Sequence, residues 1–108
     1  MLRIYPVVLR TIEGLRRTLG ILDHKDRDLS RQLRRCSASC ALNLGEGQYS
    51  RGKNRAAKYH IALGSAREML SCLEVAEAFG YIPPVSSEMR ENFDRIIGSL
   101  VRLVERSG

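Results

Sequence analysis

Apolar side chains recur along this chain at alternating spacings of three and four, the interval at which a helix returns one face to its neighbours. From Tyr5 to Leu22 the seam is Tyr5, Val8, Ile12, Leu15, Leu19 and Leu22, which predicts a helix over about 3–22. Pro6 is tolerated because it falls in the first turn, whereas Gly14 and Gly20 weaken the helix somewhat. Arg3, Arg10 and Arg17 recur every seven residues as a separate stripe. After the polar connector Asp23-His24-Lys25-Asp26, the Asp26 carboxylate is placed to cap a second helix over about 27–46. Leu29, Leu33, Cys36, Cys40 and Leu44 make its apolar stripe, opposite Arg27, Arg31 and Arg34, and a third stripe of Gln32, Ser39, Asn43 and Glu46 lies between.

Gln48-Tyr49-Ser50-Arg51-Gly52 reads as a short loop that makes the second and third helices antiparallel neighbours. The third helix, over about 53–79, carries Tyr59, Ala62, Ala66, Met69, Leu73, Ala76 and Gly80, with Leu63 and Leu70 widening the stripe to a second face. A helix apolar on two sides belongs at the centre of a bundle or between subunits, and Ala62, Gly64, Ser65 and Ala66 would let a partner approach closely. Tyr81 to Val85 form a proline-stiffened turn, and Ser86 or Ser87 caps a last helix over about 86–106 with the seam Met89, Phe93, Ile96, Leu100 and Leu103. Glu91 and Arg95 are spaced to pair on it. The expected architecture is one all-α domain over residues 1–108, an antiparallel up-down-up-down four-helix bundle.

Composition agrees and adds no activity. The 108 residues are enough for one core and not two, tryptophan is absent, and no apolar run approaches the roughly 20 residues that cross a bilayer. Three cysteines, two of them one helical turn apart, make no disulfide framework. Arg3 and Pro6 interrupt what would have to be the apolar part of a signal peptide beginning at Met1, so a cytoplasmic protein with reduced thiols is expected.

Charge changes the picture. Arg27, Arg31, Arg34, Arg35, Arg51, Lys53, Arg55 and Lys58 face only Asp28 and Glu46 within their stretch of sequence, which accounts for the whole formal charge of +6. Arginine supplies 15 of the 18 cations, and its forked donors suit phosphate. A solvated helix face is the bland alternative.

Catalytic fingerprints are missing: no P-loop, GxGxxG, HExxH or GxSxG occurs, and no cofactor is implied. Cys36, Cys40, Cys72 and His60 are the residue types of a zinc site, but cysteines on an apolar stripe are better read as core. Glu46, Glu68, Glu74 and Glu77 lack the Glu-x-x-His pairs of a carboxylate di-metal bundle. Glu46 borders the core and needs a partner: Arg35, Arg67, the backbone N–H groups opening the third helix, or an arginine of another subunit. A catalytic acid would need Glu46, Glu68 and His60 around one pocket, and a polar network fixing the hairpin is the preferred reading.

Gln32-Leu33-Arg34-Arg35, Ser39-Cys40-Ala41-Leu42-Asn43-Leu44-Gly45-Glu46-Gly47 and Ala62-Leu63-Gly64-Ser65-Ala66-Arg67-Glu68 resemble signatures of the bacterial four-helix bundle proteins first noticed in intervening sequences of large-subunit ribosomal RNA genes. The likeness covers residues 29–82 and closes on Gly80-Tyr81-Ile82, with Leu44, Gly45 and Cys40 departing from the pattern. The structural polar network expected to fix the hairpin comprises Gln32, Ser39, Asn43, Glu46, Ser65, Arg67 and Glu68. The resemblance implies a ring-like homo-oligomer, a pentamer, with a basic surface. The fold is also similar to that of the accessory variability determinant of diversity-generating retroelements, a basic pentamer that binds a reverse transcriptase and nucleic acid. The expected function is non-enzymatic binding of structured RNA or nucleoprotein through phosphate contacts. The alternative is an oligomeric scaffold that docks a protein partner.

Overall fold

A computed structural model describes residues 2–107; Met1, part of the N-terminal stretch weighed above, lies outside them. Five helices are present, α1 (Ile4–Gly14), α2 (Arg16–Lys25), α3 (Arg27–Gly47), α4 (Gly52–Ala78) and α5 (Ser87–Ser107), with no strand among the described residues. Among the described residues no helix is long and apolar enough to cross a membrane.

The single helix expected over 3–22 is divided. At Leu15 the backbone stays in the right-handed region (φ −88°, ψ −5°), but its N–H turns to the carbonyl of Ile12, three residues back rather than four. That tight turn offsets α2 from α1 while keeping the apolar phase, so Val8, Leu15 and Leu22 all remain buried. Gly14 sits at the break with the Met89 methyl against it, where a Cβ would lie 3.2 Å away. The glycine thus lets α5 close on the joint.

Asp26 accepts from the N–H of Leu29 at 3.0 Å and opens α3, satisfying one of the donors that every helix start leaves free. The helix continues through Gly45, where a Cβ would contact the Tyr5 ring at 3.4 Å, so α1 lies close over this end of α3. The Leu2 N–H donates to the Gln48 Oε1 at 2.9 Å and ties the N-terminus to the same end.

After a turn over residues 48–51, α4 starts at Gly52 and ends in a left-handed glycine, Gly80 (φ +75°). The Gly80 and Tyr81 N–H groups donate back to Glu77 and Ala76, closing the last turn of α4 with a reversal that a side chain would strain. Ser86 accepts from the Met89 N–H at 3.1 Å and opens α5.

α3 and α4 run antiparallel, because their contacts appear in opposite order along the two chains: Glu46 with Lys58, Ser39 with Ser65, Gln32 with Glu68. α1 and α2 lie along α3, and α5 packs on α4 and α1. The fully buried side chains come from every helix and include Val8, Leu22, Leu33, Leu44, Met69, Leu73, Phe93 and Leu100. Complete burial of one such side chain is worth about 1.5–3 kcal/mol, and the shared core holds the helices as one unit.

The tightest backbone approach is at Gly47, where a Cβ would lie 2.5 Å from the buried Tyr59 ring. Gly47→Ala is expected to lower unfolding free energy by about 1–3 kcal/mol in urea denaturation. Gly20→Ala, whose Cβ meets nothing within 4 Å in a continuous helix, should raise it by up to about 1 kcal/mol. Equal effects at the two positions would contradict this packing.

Candidate nucleic-acid interface

Arg27, Arg31, Arg34 and Arg35 share the outward face of the first half of α3, opposite the stripe that Leu29, Leu33 and Cys36 bury. Their surroundings differ. Arg34 Nη2 lies 2.9 Å from Asp23 Oδ2, and Asp23 also accepts from the Ser30 hydroxyl, so this pair fastens the end of α2 to α3. The Ser30 hydrogen bond, helped by the Arg34 charge and opposed by desolvation, holds the Asp23 carboxyl below its ordinary range. Arg31 is 3.8 Å from Asp28 with both side chains in water, a contact of little energy. Arg27 and Arg35 are exposed and meet no carboxylate within ion-pair distance among the described residues.

The second basic group lies elsewhere. α3 has 21 residues, which at 1.5 Å rise per residue spans about 30 Å. Arg51, Lys53, Arg55 and Lys58 follow its far end, while Arg27 to Arg35 begin at the near one. The basic residues of the hairpin therefore form two patches, not one. In the second patch Lys58 Nζ is 2.6 Å from Glu46 Oε2, and Arg55 Nε donates to the Ser50 carbonyl at 2.8 Å. Arg51 and Lys53 are exposed without an ion pair among the described residues.

The polar stripe lies in the α3–α4 seam. The Ser65 hydroxyl donates to Ser39 Oγ at 2.8 Å, Asn43 Nδ2 donates to the Ser39 carbonyl at 2.8 Å, and Gln32 Nε2 donates to Glu68 Oε2 at 3.4 Å. Arg67 is exposed and joins none of these bonds. The partner of Glu46 is Lys58 rather than any expected candidate. Because α4 starts at Gly52, its second turn brings the short Lys58 tether alongside Glu46 at the rim of the seam.

Cys36, Cys40 and Cys72 are buried, while His60 is exposed. The Cys36 thiol donates to the Leu33 carbonyl at 3.4 Å; the neighbouring Cys72 thiol and burial raise its pKa, and burial pushes that of Cys40 up to about 12. No group of three or more metal-binding side chains forms among the described residues. Glu46 and Glu68 are occupied at separate levels of the hairpin, by Lys58 and Gln32.

Sequence charge windows miss Arg3, Arg95, Arg102 and Arg106, which the fold gathers around one groove between α1 and α5. The signal that finds them is their spacing: Arg95, Arg102 and Arg106 are seven and four residues apart and share one face of α5. Arg95 lines this groove, and the expected ion pair with Glu91 does not form among the described residues.

A family model described as 23S rRNA-intervening sequence protein matches residues 11–102. The chain belongs to this family. No curated protein and no solved structure matches it. In this intervening-sequence protein the matched span contains the α3–α4 seam and the arginines of α3.

Asp23 supplies a pH test. Its pKa is depressed by folding, so its contribution to stability is present above the unfolded value of 3.8 and is lost as pH falls through the lower folded value. The melting temperature of the wild type should exceed that of Asp23→Asn at neutral pH and converge on it as the solution is acidified below 3.8. A constant difference through that range would show that the carboxylate charge is not what fastens α2 to α3.

Proposed function

We propose that this intervening-sequence protein is a non-enzymatic, cytoplasmic RNA-binding module that grips phosphates of structured RNA or of a nucleoprotein, such as a reverse transcriptase complex. One observation supports the reading: Arg27, Arg31 and Arg35 stand in line at four-residue intervals on an exposed helix face, Arg27 and Arg35 without an ion pair among the described residues and Arg31 with only a solvent-exposed contact to Asp28 at 3.8 Å. Successive members rise about 6 Å along the helix. Exposed guanidinium groups need little desolvation to reach a phosphate, and each contact releases counterions. Nothing in that row selects a base, so binding is to backbone and shape.

The functional unit is proposed to be a four-rod, up-down-up-down bundle, with α1 and α2 as one interrupted rod, closing with further copies into a ring, a pentamer. A likeness to the accessory variability determinant of diversity-generating retroelements is part of the same proposal. Leu42 and Ile61 support self-association. They are 63% and 47% exposed and lie at one level of the hairpin, between the Glu46–Lys58 and Ser39–Ser65 contacts. The same exposed apolar pair favours the second reading, a scaffold that docks a protein partner.

In anisotropy titration of labelled large-subunit ribosomal RNA fragments between roughly 50 and 300 mM salt, the α3 row alone should contribute about −2 to −3 to the logarithmic slope. Arg27→Gln/Arg35→Gln should make it shallower by about 2. Binding that ignores salt would overturn the phosphate reading. Sedimentation velocity should show an assembly that Leu42→Glu/Ile61→Glu dissociates, and a wild-type monomer at all concentrations would refute the ring.

A further inference from the structure

We propose that the groove between α1 and α5 is a separate phosphate site, built by Arg3, Arg95 and Arg102 and continued by Arg106 and Arg55. The antiparallel approach of the two helices makes it. Met89 of α5 lies at Gly14, the end of α1, so the second half of α5 runs beside the start of α1 and brings Ser99 next to Ile4. Arg95 and Arg102 thereby face Arg3 across a depression of about 160 Å³. Arg102 and Arg106 share the next depression with Arg3, and Arg106 shares a third, of about 340 Å³, with Arg55. The three adjoin through common walls at Leu2, Arg3, Arg102 and Arg106, and none is lined by a carboxylate.

Five guanidinium groups, from α4, α5 and the residue that precedes α1, repel one another along one channel, and no ion pair among the described residues discharges them. The α1 and α4 starts add to the positive potential. Each lacks a side-chain cap and an acidic residue in its first turn, so free N–H groups and the positive end of the helix dipole face the same region. Arg102 Nη2 is 3.4 Å from the Ser99 hydroxyl, which leaves its other donors for a ligand. A tetrahedral oxyanion with several acceptor oxygens matches this arrangement. Arginine forks bind phosphate oxygens in pairs, and a multivalent anion relieves the mutual repulsion that a single carboxylate would only reduce.

Arg106 also sits in the last turn of α5, where the dipole favours a cation, so Arg3, Arg95 and Arg102 are the discriminating residues. The shared chemistry is phosphate, from a nucleic-acid backbone or from a small phosphorylated ligand. In the first case the groove extends the binding reading above to the opposite end of the hairpin from Arg27.

The test uses the full chain and two probes. Inorganic pyrophosphate is titrated while the arginine Nε–Hε resonances are followed by NMR, with chloride at matched ionic strength as the blank. Saturable shifts at Arg3, Arg95 and Arg102, abolished in Arg95→Gln/Arg102→Gln, are expected. Labelled ribosomal RNA fragments are then compared across the wild type, that groove variant and Arg27→Gln/Arg35→Gln. If the groove variant makes the salt slope shallower by about 2, the phosphate is the nucleic acid's. If pyrophosphate saturates the groove but RNA binding is unchanged in the groove variant, the site serves a small phosphorylated ligand. If RNA binds nowhere yet pyrophosphate saturates, the groove stands and the RNA reading falls. Arginine resonances that move no more with pyrophosphate than with chloride overturn the groove. The substituted side chains are exposed, and unchanged circular dichroism confirms that each variant is folded.

Discussion

The rest of the structure depends on how closely α3 and α4 approach. The contact is made by small side chains: Ser39 meets Ser65, Ala62 and Ala66 are fully buried, and Gly47 lies under the Tyr59 ring. Two long helices pressed together this way act as a stiff plate. One side of it receives α1, α2 and α5, while Leu42 and Ile61 remain in water. The seam also explains the polar stripe. Serine and asparagine are small enough to sit in a close contact and still satisfy one another, as Asn43, Ser39 and Ser65 do.

That stiffness separates charge. A flexible or short connection would let the basic residues on either side of the turn come together, but a straight helix of 21 residues holds them at its two ends. Linear charge along the sequence is therefore a poor guide to charge in space. α5 makes the same point from the other direction. Glu88, Glu91 and Asp94 lie toward its start and Arg102 and Arg106 toward its end, so the segment sums to little while the charged side chains that its second half presents to the α1 groove are arginines. The acids favour the positive end of the helix and the bases the negative end.

What could be read in the chain follows from which interactions are local. The Asp26 cap and the buried stripes of α3, α4 and α5 depend on spacing within one helix, and spacing is visible in sequence. The break at Leu15 was hidden because a three-residue hydrogen bond costs the helix one regular turn without changing which side chains face inward. Gly14 carried the only local hint, and its reason lies in Met89, 75 positions away. Lys58 was missed as the partner of Glu46 because that choice turns on where α4 begins, and the glycine at its first residue shifts that start. The arginine groove needed the α1–α5 pairing, which no single-helix pattern contains.

The cations sort into two kinds, and the sorting bears on function. Arg34 and Lys58 are held by Asp23 and Glu46, contacts that join α2 to α3 and α3 to α4, so those charges serve the fold. Arg27, Arg35, Arg51 and Lys53 contribute no ion pair among the described residues, and the core is complete without them. Surface charges of one sign that stabilise nothing locally still cost repulsion, weakly at physiological salt and more strongly where they crowd. An arrangement that keeps them clustered is destabilised in the free protein and relieved by a polyanion. Under the proposed phosphate reading, part of the driving force for binding is then stored in the unliganded surface.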